Sequence, residues 1–123
     1  MGYAERHVVS ITTNAAGAGT GYTPAVSGEI AEIHYVKTDF DNGVDFSITA
    51  EATGETIWAE DNVNASTSRA PRQATHSTAG VAALYAAGGT AVQAPIVIAN
   101  DRVKIAVTSG GNVKSGTFHV VVK

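Results

Sequence analysis

The chain has no cysteine among its 123 residues. That excludes a disulfide framework, a thiolate-bound zinc and a cysteine nucleophile. Charge is scarce as well. Asp, Glu, Lys and Arg make up 15% of the sequence, against about 25% in an ordinary soluble domain. The formal net charge is −3, and the eight lysines and arginines are scattered, with only Arg69 and Arg72 close together. A nucleic acid asks for a basic face, so no nucleic-acid partner is expected. Apolar runs are short, far below the ~20 residues that a membrane-spanning helix needs. The opening Met1-Gly2-Tyr3-Ala4-Glu5-Arg6-His7 is polar and charged, unlike a secretory signal, which sets the expectation of a protein made in the cytoplasm.

Alanine, glycine, threonine and valine fill the space that charge leaves, and the hydrophobic fraction of 44% is enough for a buried core. At this length the chain reads as one domain, residues 1–123. Strand signals dominate it. Val44, Phe46, Ile48 and Ala50 alternate with Asp45, Ser47, Thr49 and Glu51, the period of a strand with one buried face. Val103, Ile105 and Val107 repeat the pattern, and so do Phe118, Val120 and Val122; Val9, Ile11 and Thr13 do so less cleanly.

Turn residues punctuate these runs. Asn42-Gly43 between Ile30–Asp39 and Val44–Ala52 predicts a type I′ hairpin, since both residues tolerate positive φ. Thr53-Gly54 turns the chain into Glu55–Glu60. A second meander is expected from Pro95–Ala99 through Asn100-Asp101 to Arg102–Thr108, then through Ser109-Gly110-Gly111-Asn112 to Ser115–Val122. A short strand is placed near Tyr22–Val26, after a glycine-rich connection over residues 14–21. The sum is an all-β domain: a β-sandwich of jelly-roll-like type with about eight antiparallel strands. One long loop, Asp61 to Val92, breaks the rhythm; within it Ala79–Ala87 is expected to form a short helical turn with Leu84 and Tyr85 docked inward and Gly88-Gly89 ending it.

Few residues invite chemistry. Asp39, Asp41, Asn42 and Asp45 surround one turn, but the spacing departs from a calcium loop, and Asx side chains capping their own backbone are the simpler reading. The four histidines, His7, His34, His76 and His119, have no partner at metal-ligand spacing. His34 and His119 meet only if the fold brings them together. Gly17-Ala18-Gly19-Thr20-Gly21 has the glycines of a phosphate loop without its lysine or a following helix. No Gly-x-Ser-x-Gly elbow is present. No catalytic, metal or cofactor residue is therefore singled out. Arg69 and Arg72 flank Pro71 in the long loop, which reads equally as a partner-contacting arm or as a solvated loop. His76 shares that loop. Trp58 reads first as core and, if exposed, as an interface residue. Arg69, Arg72, His76 and Trp58 are the candidate partner contacts.

The phrases Ile33 to Phe40, Gly43 to Trp58, Ala83 to Ala91 and Ala99 to Ile105 resemble small proteins encoded among the virion genes of tailed bacteriophages, and the likeness extends over most of the chain after about residue 20. It is a likeness of texture rather than of any catalytic motif. What it implies is a capsid decoration, or cement, protein: a non-enzymatic component of the virion that binds the outer surface of the head. Its partners would be the major capsid protein and further copies of itself, as homodimer or homotrimer, with neither nucleic acid nor membrane involved and no cofactor. Two other classes compete. One is a neck or tail component such as a head–tail connector or tube-like subunit, which would form a ring. The other is a carbohydrate-binding module, which would need aromatic side chains exposed on one sheet face.

Overall fold

A computed structural model describes residues 3–123 of the chain. Among them it contains ten strands and no helix. They are β1 (Glu5–Thr12), β2 (Gly19–Tyr22), β3 (Val26–Lys37), β4 (Val44–Ala50), β5 (Thr56–Val63), β6 (Thr67–Arg69), β7 (Arg72–Ala74), β8 (Gln93–Asp101), β9 (Val103–Thr108) and β10 (Ser115–Val122). All strand pairs are antiparallel. One sheet of six strands runs β1-β10-β3-β8-β7, with β6 also paired to β3; the other, of four, runs β2-β9-β4-β5. The long strand β3 serves several neighbours. One of its edges pairs with β10, while β8 and β6 pair with its first and second halves, from Val26 to Ile30 and from Ile33 to Tyr35.

The alternation read from the sequence is the burial pattern of the strands. In β4, Val44, Phe46, Ile48 and Ala50 are buried; in β9, Val103, Ile105 and Val107; in β10, Phe118, Val120 and Val122. The two layers meet over these residues in a sandwich-like arrangement. Tyr35 and Phe118 of the larger sheet lie 5.3 and 5.1 Å, centroid to centroid, from Phe46 of the smaller one. Phe46 meets Trp58 at 4.9 Å in an edge-on contact, the geometry that ring quadrupoles prefer. Gly116 leaves room for this packing, since a Cβ there would lie 2.3 Å from the ring of Phe40.

Several local expectations are corrected. Asn42-Gly43 does not close a hairpin: β3 belongs to the larger sheet and β4 to the smaller. Gly43 has φ +86° while Asn42 is not in the positive-φ region, so the turn is not type I′, which needs both central residues there. The chain turns a corner between layers instead. Asn100-Asp101 likewise joins β8 of the larger sheet to β9 of the smaller, and Ser109 to Lys114 returns the chain to β10 in the larger, so the expected second meander does not exist. Only Thr53-Gly54 closes a true hairpin among these turns, β4 with β5. The strand near Tyr22–Val26 sits earlier, as β2 within the glycine-rich stretch.

The helical turn over Ala79–Ala87 is absent, and Leu84 and Tyr85 do not dock inward; they are 43% and 75% exposed. Gly80, inside that span, holds φ of +83°, outside the helical region, and a nine-residue helix without packing is marginal in water. The backbone pairs in strand fashion instead, through His76↔Ala82 and Leu84↔Ala91.

Candidate functional site

The four candidate contact residues fall into separate places. Trp58, on β5, is buried at 6% exposure. Its Nε1–H donates to Glu60 Oε1 at 3.2 Å, and the Arg69 guanidinium lies 5.4 Å from its ring centroid. Arg69, on β6, also donates to Glu60 Oε1 at 2.9 Å and to Thr67 Oγ1 and the Ser68 carbonyl. Trp58, Glu60 and Arg69 thus form one clamp that ties β6 over the end of the smaller sheet, and Trp58 presents little surface to a partner. Arg72 stands on β7 opposite Pro95, exposed beside a cleft of about 200 Å³ that Glu29, Pro71 and Lys123 also line. The buried Pro71 makes the turn between the two arginines. His76 lies beyond β7, exposed, with Nδ1 against the Ser77 carbonyl at 3.1 Å.

Against expectation, the acidic group around residues 39–45 does not cap its own turn but ties distant segments to it. Asp39 Oδ1 accepts from the Ser115 amide, and Asp45 Oδ1 accepts from the Asn62 amide at 2.8 Å. The Asn42 side-chain oxygen takes the Lys37 ammonium. No group of three or more His, Asp or Glu side chains suited to a metal ion occurs among the described residues. In the glycine-rich connection, Asn14 Oδ1 accepts from the amides of Ala16 and Ala18 at 2.9 and 3.1 Å, an Asx-type turn that folds the loop back on itself.

The fold does bring two histidines together. His34 on β3 and His119 on β10 are directly opposite in register, on the outward face of the larger sheet. Glu32 Oε1 lies 2.6 Å from His34 Nε2, and Arg6 Nη1 donates to His119 Nδ1 at 3.2 Å. At the far end of the smaller sheet, Arg102 caps the ring of Tyr22 at 4.1 Å and donates to both carboxylate oxygens of Glu51. The Arg102 hydrogen bonds hold the Glu51 carboxyl below its ordinary value, and Glu51 in turn raises that of Arg102. A cleft of about 540 Å³ is open and borders Tyr3, Glu5, His7, Ser27 and Lys123.

One feature escapes motif reading. From Gln73 to Asn100 the chain carries no Asp, Glu, Lys or Arg. Between β7 and β8 this span forms a lobe held mainly by backbone bonds, with the Thr75 hydroxyl also donating to the Val92 carbonyl at 2.9 Å. Thr75 N–H donates to the Val92 carbonyl at its base, Ala83 N–H to Thr75, Val92 N–H to Ala83 and Tyr85 N–H to Thr90. Ser77 Oγ accepts from the amides of Ala79 and Val81, shaping one tip. Every residue from His76 to Thr90 except the half-buried Ala83 is exposed. Val81, Leu84 and Tyr85, at 67%, 43% and 75% exposure, face solvent there. The lobe's run without charge is visible in the sequence but is shared with residues 7–28, so it does not by itself mark the lobe.

No family model, no curated protein and no solved structure matches the chain.

Proposed function

We propose that the protein is a capsid decoration protein of a tailed bacteriophage, a non-enzymatic clamp on the outer surface of the head, with the major capsid protein as its principal partner. The observation that carries this reading is the strand order. With the three-residue β6 and β7 set aside, the eight remaining strands stand in the order first-eighth-third-sixth in one sheet and second-seventh-fourth-fifth in the other. That order supports reading the fold as a jelly roll, an architecture used in viral capsid domains and lectins. Fold alone does not assign function; the likeness of the chain's phrases to phage virion proteins supplies the direction.

The placement of side chains supports a role in contact rather than in sugar binding. Trp58 and Tyr35 are buried, Tyr22 is capped by Arg102 and Tyr85 stands alone on the lobe, so the aromatics do not line up on one sheet face. The exposed arginine of β7, Arg72, is the contact assigned to the capsid, where a planar guanidinium can pair with carboxylates. Low individual affinity suffices on a shell that offers many equivalent sites at fixed spacing.

The test is co-sedimentation of the purified protein with heads of the virus that encodes it, followed by heating. Saturable binding and heads that rupture at higher temperature are expected, and Arg72→Glu should weaken binding. Heads that neither bind the protein nor gain heat resistance would overturn the reading; rings in negative stain would transfer the protein to the neck or tail.

A further inference from the structure

We infer that Asn42 is a site of spontaneous covalent modification, deamidation through a succinimide, and that the hydrogen bonds Asn64 and Val63 place on the Gly43 amide hold it intact in the folded chain. Of the six asparagines only Asn42 precedes a glycine. A following residue without a Cβ leaves its amide nitrogen sterically free to reach the asparagine side chain. In the reaction the Gly43 nitrogen bonds to Asn42 Cγ and the Cγ–Nδ2 bond breaks. The amide proton of Gly43 leaves with the departing nitrogen as ammonia. Solvent water then opens either carbonyl of the ring, giving aspartate or isoaspartate.

The surroundings of Asn42 favour one half of this reaction and oppose the other. Asn42 is exposed, and Lys37 Nζ donates to its Oδ1. An ammonium there stabilises the negative charge that develops on this oxygen as the nitrogen attacks. The attacking nitrogen, however, is engaged. Gly43 N–H donates to Asn64 Oδ1 at 2.8 Å and to the Val63 carbonyl at 3.2 Å, and attack requires it to leave both acceptors and give up its proton. Lys37 Nζ also donates to the Asn64 carbonyl at 3.2 Å, so the same cation that polarises the Asn42 amide steadies the residue that restrains Gly43. The position gives the modification a consequence. Asn42-Gly43 carries the chain from β3 in the larger sheet to β4 in the smaller, between the buried Phe40 and Val44. Isoaspartate routes the main chain through the side-chain carbons and adds an extra atom to this corner, where the residues on both sides are fixed in the core.

The inference is independent of the capsid reading, because it concerns the chemistry of the purified chain alone. Peptide mapping by mass spectrometry after incubation at mildly alkaline pH reads it directly, since conversion adds a water and removes an ammonia. In urea the wild type is expected to convert at Asn42 ahead of its other asparagines, and the folded wild type to convert there at least about tenfold more slowly. Asn64→Ala, with an unchanged far-ultraviolet spectrum, should convert at least about fivefold faster than the folded wild type, the rate equivalent of about 1 kcal/mol for one lost hydrogen bond. Asn64→Asp keeps an oxygen toward the Gly43 amide and should stay slow. Ile96→Ala separates this local restraint from general loosening: it opens a cavity where β8 pairs with the first half of β3, and its folded form should convert within about twofold of wild type. Folded wild type that converts as fast as the chain in urea would overturn the inference, whether or not the variants fold. So would Asn64→Ala at the wild-type rate, Asn64→Asp as fast as Asn64→Ala, or Ile96→Ala as fast as Asn64→Ala.

Discussion

Replacing Tyr35 with phenylalanine should make the protein more stable. The Tyr35 side chain is 1% exposed, and its hydroxyl is buried with no hydrogen-bond partner among the described residues. Its ring is held among Phe40, Phe46 and Phe118 at centroid distances of 6.2, 5.3 and 5.2 Å. Removing the hydroxyl leaves those ring contacts in place. An unpaired buried polar group costs about 1–3 kcal/mol; part of that gain is lost to the small gap left behind, so Tyr35→Phe should stabilise by about 1 kcal/mol. In urea the midpoint should rise by roughly 0.5 M at unchanged slope, and in a thermal scan by about 4 °C. The pH dependence gives a second reading. Burial raises the Tyr35 phenol above its ordinary value of 10.0. The unfolded chain therefore loses this proton first, and the neutral phenol's contribution is intact below about pH 10 and is lost as pH climbs toward the folded value. Tyr35→Phe should flatten that alkaline loss. A variant less stable than wild type by more than about 0.5 kcal/mol would refute the reasoning, because it would mean that the hydroxyl has a partner, such as a buried water.

Gly116→Ala should destabilise by at least about 2 kcal/mol in urea unfolding, because its Cβ would sit 2.3 and 2.5 Å from ring atoms of the fully buried Phe40; a loss under 0.5 kcal/mol would show that the ring has room to move. Val113 is 62% exposed and holds φ +53°, a region that β-branched residues resist, so Val113→Gly should stabilise by about 0.5–1 kcal/mol, and a lower melting temperature would contradict it. Because the Glu51 carboxyl is lowered by Arg102, its contribution to stability is present above the unfolded carboxylate value near 4.5 and disappears as pH falls through the folded one. Glu51→Gln should therefore remove part of the drop in melting temperature between pH 5 and pH 3; an unchanged acid profile would exclude the pair as its source.

The candidate site was legible only in part. Arg69 and Trp58 were named from residue type, yet what joins them is the carboxylate of Glu60, two positions past the tryptophan on β5 and nine before the arginine. The His34 and His119 pair, 85 positions apart in sequence, exists because β3 and β10 are neighbours, which no spacing rule reveals. The sequence predicts a helical turn in the lobe because Ala79–Ala87 is rich in alanine, a strong helix former. Helix propensity over nine residues amounts to little when Gly80 takes a left-handed conformation inside the segment and its side chains stay exposed.

Alternation of apolar side chains determined the strands, because a pleated backbone sends successive residues to opposite faces and only one face reaches the core. That is a local property, and Val44–Ala50, Val103–Thr108 and Ser115–Val122 carry it without reference to the rest of the chain. Which sheet each strand joins is not local. Asn42-Gly43 and Asn100-Asp101 bear the residues of tight hairpins, yet both pass the chain from one layer to the other. A turn's residues set the bend, whereas the layer that receives the next strand is decided by the neighbours already there: β10 and β8 flank β3, and β9 and β5 flank β4. Those partners come from far along the chain, and only the assembled core selects among them.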